Sequence, residues 1–420
     1  MTRARRLGRA TFSSLKNRNY RLYFTGQIIS VSGTWMQRLA QAWLILTLTN
    51  NNGFALGIES GLQFLPMLLF GAWGGVIADR FDKRRILYAT QIAAGLLAFG
   101  LGLIVALGSA TVAIDYLFSV LLGFVNVFDN PARQTFVMEM VGREELPNAV
   151  GLNSVVMNSS RIVGPAIGGI VIKFVGLAPC FFLNAASYAA VLLALRMMRA
   201  SELRPAPVVA RAKGQLRDGF RYVWSDRLVR TPLLMMAVIG TLAFNFQVVI
   251  SLMATKTFSL DAGGLGALLS VMGAGAVLGA LAAASRSGVS YRRLLSLTYG
   301  MGVAIMFAAF APTLATEVIA LFVMGAASFA FIAVANTTLQ LTSRPDMRGR
   351  VMALYSIAFL GSTPIGSPII GWVCAVWGPR AGFAVGGVAA LVAGAAASYS
   401  LTRARAERDR AQRAVALSAT

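Results

Sequence analysis

Five ionisable residues stand within or at the edge of long apolar stretches of this 420-residue chain: Arg38, Glu59, Asp115, Asp129 and Arg161. A charge at the centre of a bilayer costs from about 2.5 kcal/mol upward, and such residues usually face a partner or a water-filled cavity. The chemistry open to them is charge pairing, proton exchange or recognition of a polar solute. Histidine is absent. That removes imidazole as base, proton relay or metal ligand, and leaves carboxylates for any proton transfer near neutral pH. Glu59 and Asp129 are the candidates for proton coupling; Asp129 precedes Asn130-Pro131, so a helix-end role is its alternative. Arg161 is the most expensive of the five. A structural ion pair competes there with lining a substrate cavity or gating proton entry.

Arg38 follows Trp35, Met36 and Gln37 and precedes Gln41. Positions 34, 37, 38 and 41 fall on one polar helical face, which is expected to line a cavity; snorkelling of Arg38 to the outer interface is the alternative. Trp35, Gln37 and Gln41 are therefore substrate-cavity candidates, together with Asn126, Asn158, Phe244, Asn245, Gln247 and Asn336. The amides have a commoner use as hydrogen-bond glue between membrane helices.

The elements that must position these residues follow from composition. The chain is 57% hydrophobic and 13% charged, with a mean hydropathy of +0.68; soluble domains carry about 25% charged residues. Runs of roughly 18 or more apolar residues count as membrane spans. About twelve are expected, at 22–48, 54–78, 86–107, 112–131, 149–172, 178–198, 232–254, 261–284, 293–312, 316–340, 351–373 and 381–401. The predicted fold class is an all-α membrane protein.

The net charge of +22 is a topology signal rather than a nucleic-acid footprint. If the spans alternate, nearly all Lys and Arg of the connections fall on one side, and the other side keeps only Lys173, Lys256 and Arg380. The positive-inside rule then puts both termini in the cytoplasm, where the basic loops face anionic lipid headgroups. No nucleic-acid motif accompanies the charge. Cys180 and Cys374 read as buried small apolar residues. The basic, polar first residues lack a signal-peptide cleavage site, so span one is expected to stay in the protein.

One connection is long. From Met198 to Arg230 a Pro/Ala coil leads into a segment, Gly214 to Trp224, in which Phe220, Tyr222, Val223 and Trp224 alternate with Arg217 and Arg221. A basic helix with aromatics is expected to lie in the membrane interface. It divides the chain into a basic tail 1–21, a six-span bundle 22–198, a linker 199–231, a second bundle 232–401 and a tail 402–420. The halves echo each other: spans five and eleven hold Pro165 and Pro364, and spans two and eight are glycine-rich and end in basic loops. Broken helices at matching places in two halves are the sequence picture of a secondary transporter.

After span two the chain reads Gly75-Val-Ile-Ala-Asp79-Arg80-Phe-Asp-Lys83-Arg84-Arg85. This resembles the loop signature of the major facilitator superfamily, and with the six-plus-six layout the resemblance covers nearly the whole chain. It implies two pseudo-symmetric six-helix bundles, with Asp79 facing the positive amino terminus of span eleven as a gate. Gly75 would allow close helix approach. In span five, Gly151, Ser160, Gly164, Pro165, Gly168 and Gly169 stand at the spacing of the superfamily's antiporter motif, with Ser160 in place of a glycine. That motif is associated with exporters, and implies a bent, closely packed hinge. "NYRLYFTGQIISVSGTWMQRLAQAWLIL" and "FDNPARQTFVMEMVGREELPNAVGLNSVVMN" resemble the branch of enterobactin exporters and secretion effectors. Two departures stand out. Span four lacks the in-membrane arginine of many proton-coupled relatives, leaving Arg133 at its end, and the second-half loop with Arg286, Arg292 and Arg293 has no acidic counterpart of Asp79.

The implied function is a secondary exporter of a small amphipathic or apolar organic molecule, drug- or siderophore-like, driven by inward proton flow across a bacterial cytoplasmic membrane. It is expected to act as a monomer on small-molecule substrate and protons, with no cofactor, metal or nucleic acid. An importer or facilitator of the same fold is the alternative, and a non-transporting receptor a more distant one. An enzyme finds no support: there is no HExxH, P-loop or nucleophile constellation.

Overall fold

The computed structural model describes residues 12–204, 215–285, 288 and 290–418. The first part of the basic tail, Gly214 and Arg286 lie outside them, as does the side chain of Arg217. Among the described residues the regular structure is entirely helical.

Polar residues at the turns start the helices. Asn17 accepts from the Tyr20 amide at 3.1 Å to open α1 (Arg18–Leu48). Asn52 does the same for α2 (Gly53–Arg80) and Asp82 for α3 (Lys83–Ala106), satisfying amides that have no partner inside the helix. The next element, α4 (Val112–Phe174), has 63 residues and bends at Gly142, whose φ of 76° and ψ of 178° suit glycine. Its arms are 112–141 and 143–174. The stretch 132–148 was expected as a connection, yet it is helical on both sides of Gly142, and Pro131 stands inside the helix without ending it.

There follow α5 (Ala178–Met197), the linker helix α6 (Gln215–Ser225), α7 (Arg227–Leu242) and α8 (Phe246–Leu252), which runs into a π turn at Met253–Thr257. The chain ends with α9 (Ala262–Ala284), α10 (Tyr291–Ala309), α11 (Leu314–Thr342), α12 (Arg348–Leu360), α13 (Thr363–Trp377) and α14 (Pro379–Ser418). Expected span seven is thus broken at 243–245 and span eleven at Gly361-Ser362. Nine helical segments among the described residues are long and apolar enough to cross a membrane. Twelve crossings follow if the arms of α4 count separately and α1 and α10 are added. The expected tails also become helix: α1 starts at Arg18 and α14 continues to Ser418.

The helices α1–α5 pack on one another, as do α7–α14. The linker helix α6 buries Val223 and leaves Phe220 and Trp224 stacked and exposed, an amphipathic surface of the expected kind. Asp218 ties it to Arg350 of α12 at 3.4 Å.

Two seams join the groups, both toward the face opposite the basic loops. Along α2 and α13, a Cβ on Gly53 would lie 2.7 Å from the Gly371 carbonyl oxygen, and Gly57 sits on the Ser367 carbonyl. Along α4 and α9, a Cβ on Gly169 would meet the Ala262 carbonyl oxygen at 2.7 Å, and Gly266 sits on that of Pro165. Such backbone-to-backbone approach is possible only with glycine at the contact. The two seams use corresponding spans of the two halves, two with eleven and five with eight.

Candidate functional site

At mid-bundle, two arginines share one indole. The Arg38 guanidinium carbon lies 4.8 Å from the Trp35 ring centre and that of Arg161 lies 5.0 Å from it. Phe64 of α2 stands 5.7 Å from Arg38, and Phe329 of α11 stands 4.5 Å from Arg161. Both groups of helices therefore contribute. Neither arginine has an ion pair within 4.0 Å among the described residues, and Arg161 Nε is shielded from solvent without a hydrogen-bond partner. The structural ion pair considered for Arg161 is not formed. Cation–π contacts contribute about 0.5–2 kcal/mol each, while a guanidinium at mid-membrane costs at least about 2.5 kcal/mol and stays charged. Trp35 and Phe329 together offset part of that cost, and Arg161 Nε keeps no hydrogen-bond partner.

Beside this centre lies a buried hydrogen-bonded chain. Asn184 donates to Gln37 at 2.6 Å, Gln37 to Gln41 at 3.4 Å, and Gln41 to Ser119 at 3.3 Å. Ser119 donates to Glu59 Oε1 at 3.2 Å, and Ser60 to Oε2 at the same distance. Gln41 also reaches Asp115 Oδ1 at 3.5 Å, while Asp115 Oδ2 is buried without a partner. Gln37 and Gln41 were expected to line a cavity; they are 3% and 1% exposed, which makes them interhelical connectors. A polar helical face looks the same in sequence whether it meets water or another polar helix.

Asp129 is held differently. Arg133 donates to its Oδ2 at 2.6 and 2.9 Å, Thr90 and Gln91 each donate to Oδ1 at 2.8 Å, and Arg133 also donates to Gln27. Arg133, expected at the end of span four, thus stands inside the helix in a buried pair, well before the bend at Gly142.

Residues 160–169 of α4 face two ways. Ser160 meets Ser32 of α1 at 3.0 Å, and a Cβ on Gly164 would fall 2.5 Å from Trp35 Cβ. Gly168 packs on Met36, whereas Gly169 and the Pro165 carbonyl meet α9. Gly151 departs from the expected packing role: nothing lies within 4 Å of its Cβ position. In the loop after α2, Lys83 pairs with Glu139 at 2.9 Å, Arg84 donates to the Leu195 carbonyl at 2.6 and 3.0 Å, and Asp82 accepts from the Arg85 amide. Asp79 and the exposed Arg80 end α2. Gly75 is half-buried; its neighbour Gly74 makes the tight contact, against the Val127 carbonyl.

The remaining candidates are mostly fastened to their surroundings. Asn158 donates to Ser154 of its own helix, Asn245 accepts from Ser367 at 2.8 Å, and Gln247 donates to the Arg38 carbonyl at 3.1 Å. Asn336 accepts from Gln340, Asn126 is half-buried on α4, and Phe244 packs between Phe246 and Phe359.

The model of the transmembrane secretion effector family matches residues 9–416. The chain belongs to that family. It is accordingly a transporter of the major facilitator superfamily, a multi-pass protein of the bacterial cytoplasmic membrane, and not an enzyme. Among curated relatives, the enterobactin exporter EntS of Shigella boydii is 25% identical over 380 residues, 89% of this chain and 90% of that protein. The multidrug efflux pump Tap of Mycolicibacterium fortuitum is 26% identical over 81% of this chain and 85% of its own. The staphyloferrin A transporter of Staphylococcus aureus is 27% identical over 38% of this chain, and the match spans 42% of that protein. In fold, the chain is similar to a bacterial homologue of the lysosomal transporter Spinster in an inward-facing conformation, with a TM-score of 0.73 at 14% identity over 92% of this chain and 98% of that one. The nucleoside transporter NupG gives 0.70 at 14% identity over 92% and 99%.

Within this family member, several residues of the site went unread in the sequence. Phe64, Phe329, Ser119 and Asn184 join the centre only through packing of distant helices. Glu317 is a clearer omission: it is fully buried with both carboxylate oxygens unpartnered, and Arg380 is the charge that acts on it. A signal for it existed. Thr111 caps α4 with Asp115 four residues on, and Thr313 caps α11 with Glu317 four residues on, at corresponding places in the two halves.

Proposed function

We propose that this family member exports a small organic molecule by alternating access, with protons moving inward. The observation that carries the reading is the double packing of residues 160–169, which hold α1 on one side and α9 on the other. A segment that holds Pro165 inside its helix and is in close contact with both groups of helices is suited to rock them while preventing leak. Its residue pattern is the exporter-associated one, and two of the relatives are named as an exporter and an efflux pump. Closed seams on the face away from the basic loops support reading the arrangement as a state open toward the cytoplasm, where both termini would lie. The two bundles would be 22–198 and 232–401, with the linker between them.

Of the carboxylates, Glu59 and Asp115 suit proton carriage. They share Gln41 and Ser119, lie close to the α2–α13 seam, and Arg38 acts on Glu59 from the central side. Joined through Gln41 and Ser119, the two carboxylates offer neighbouring acceptor sites to a proton. Asp129, with four donated hydrogen bonds from three side chains, suits a fixed structural pair. Substrate and proton need only favour opposite states of the same bundle.

The test is transport into sealed inverted vesicles carrying an imposed proton gradient, with a panel of dyes and siderophores. Export predicts uptake into the lumen that dissipates the gradient. The reading fails if energised vesicles lose substrate instead, or if no compound in the panel draws on the gradient.

A further inference from the structure

The two arginines at the centre point to a charge on the cargo. We propose that the cluster of Trp35, Arg38, Arg161 and Phe329 binds an organic anion with an aromatic body. The proposal rests on the transport reading and narrows its substrate class, which sequence composition alone had left amphipathic or apolar.

Three observations carry it. First, two guanidinium groups stand 4.8 and 5.0 Å from the centre of one indole, and the charge that acts on Arg161 is Arg38, of the same sign. Around Arg38 the facing groups are Glu59 of α2 and the Tyr188 hydroxyl of α5. One carboxylate beside two guanidinium groups leaves the cluster positive, whichever ionisation state Glu59 adopts. Secondly, Arg161 keeps an unpartnered donor in a solvent-shielded position. A buried guanidinium nitrogen is expected to be paired, and a planar oxyanion supplies acceptors that match the guanidinium fork. Thirdly, the walls are aromatic and come from both groups of helices, with Phe64 and Phe329 flanking the arginines. A flat apolar body can stack there while its charged end meets the guanidinium groups.

The direction of transport fits this chemistry. With the cytoplasm electrically negative, the membrane potential itself favours outward movement of an anion. A second copy of the protein, a lipid or a metal is not needed to account for the positive charge.

The test uses two xanthene dyes of similar body and opposite charge, carboxyfluorescein and rhodamine 123, titrated against the purified full-length protein in detergent by fluorescence anisotropy. Carboxyfluorescein is expected to bind saturably and more tightly than rhodamine 123. R161Q and R38Q should each weaken it by about tenfold or more, the scale of a lost charge-assisted contact. R161K, which keeps the charge but not the guanidinium fork, should lose less affinity than R161Q. Melting temperatures identify variants that merely misfold. Equal or tighter binding of rhodamine 123, binding of neither dye, or an unchanged carboxyfluorescein affinity in a folded R161Q would each overturn the proposal. Vesicle direction is read separately: uptake opposite to export with anion binding intact sinks the export reading and leaves this one standing.

Discussion

Lys173, at the end of α4, and Asp261, which caps α9, form an ion pair at 2.9 Å that crosses from one group of helices to the other. It lies at the Lys173 end of the α4–α9 seam, with both side chains about half exposed. The Gly264 amide, donating at 2.9 Å, and then Lys173 hold the Asp261 carboxyl below the usual carboxylate range.

A depressed carboxylate pKa has a defined sign. The contact stabilises the closed seam above the ordinary aspartate value, about 3.9, and is lost as pH falls below it through the depressed value. Asp261→Asn should therefore increase the outward-open population modestly at neutral pH, because exposed pairs contribute little. Spin labels at the exposed Val175 and Phe310 would report a longer distance in the variant. No change at neutral pH would show that the glycine contacts alone hold the seam.

Gly57 and Gly169 lie at backbone-to-backbone contacts, and Gly151 does not. Gly57→Ala and Gly169→Ala should each destabilise the closed state by about 1–3 kcal/mol through overpacking. In Gly151→Ala, thermal stability and transport should stay within about 0.5 kcal/mol of the original. Thermal melting with the same spin-label distances would decide; a damaging Gly151→Ala would mean that the motif works through some contact absent from this state.

Asp129→Asn and Glu59→Gln should part company. Removing the Asp129 charge leaves Arg133 buried without its counter-ion, an effect of about 3–5 kcal/mol, visible as a lower melting temperature. Glu59→Gln should fold normally, keep downhill substrate movement and lose gradient-driven transport. If Glu59→Gln still couples to the gradient, Asp115→Asn becomes the decisive variant; coupling in both would remove the proton role from this network.

Gly142 has a φ of 76°, which a side chain tolerates poorly. Gly142→Ala should cost about 1 kcal/mol or more and disturb the bend between the arms of α4. Lower melting temperature with near-normal substrate binding is the expected pattern, since the bend lies far from Trp35.

Much of this was legible in the sequence. Apolar runs, one-sided basic loops and the two motifs determine a helical transporter, because lipid admits few other folds and the motifs require particular small residues and bends. Even the cost of Arg161 could be read, since a guanidinium in an apolar run is expensive wherever it points. Its partners could not. Whether Gln37 and Gln41 face water or Asp115, whether Asp129 ends a helix or pairs with Arg133, and whether Arg161 meets a carboxylate or Trp35 depend on how helices distant in sequence are rotated and set against each other. A single helix's sequence fixes which residues share a face; only tertiary packing decides what that face touches.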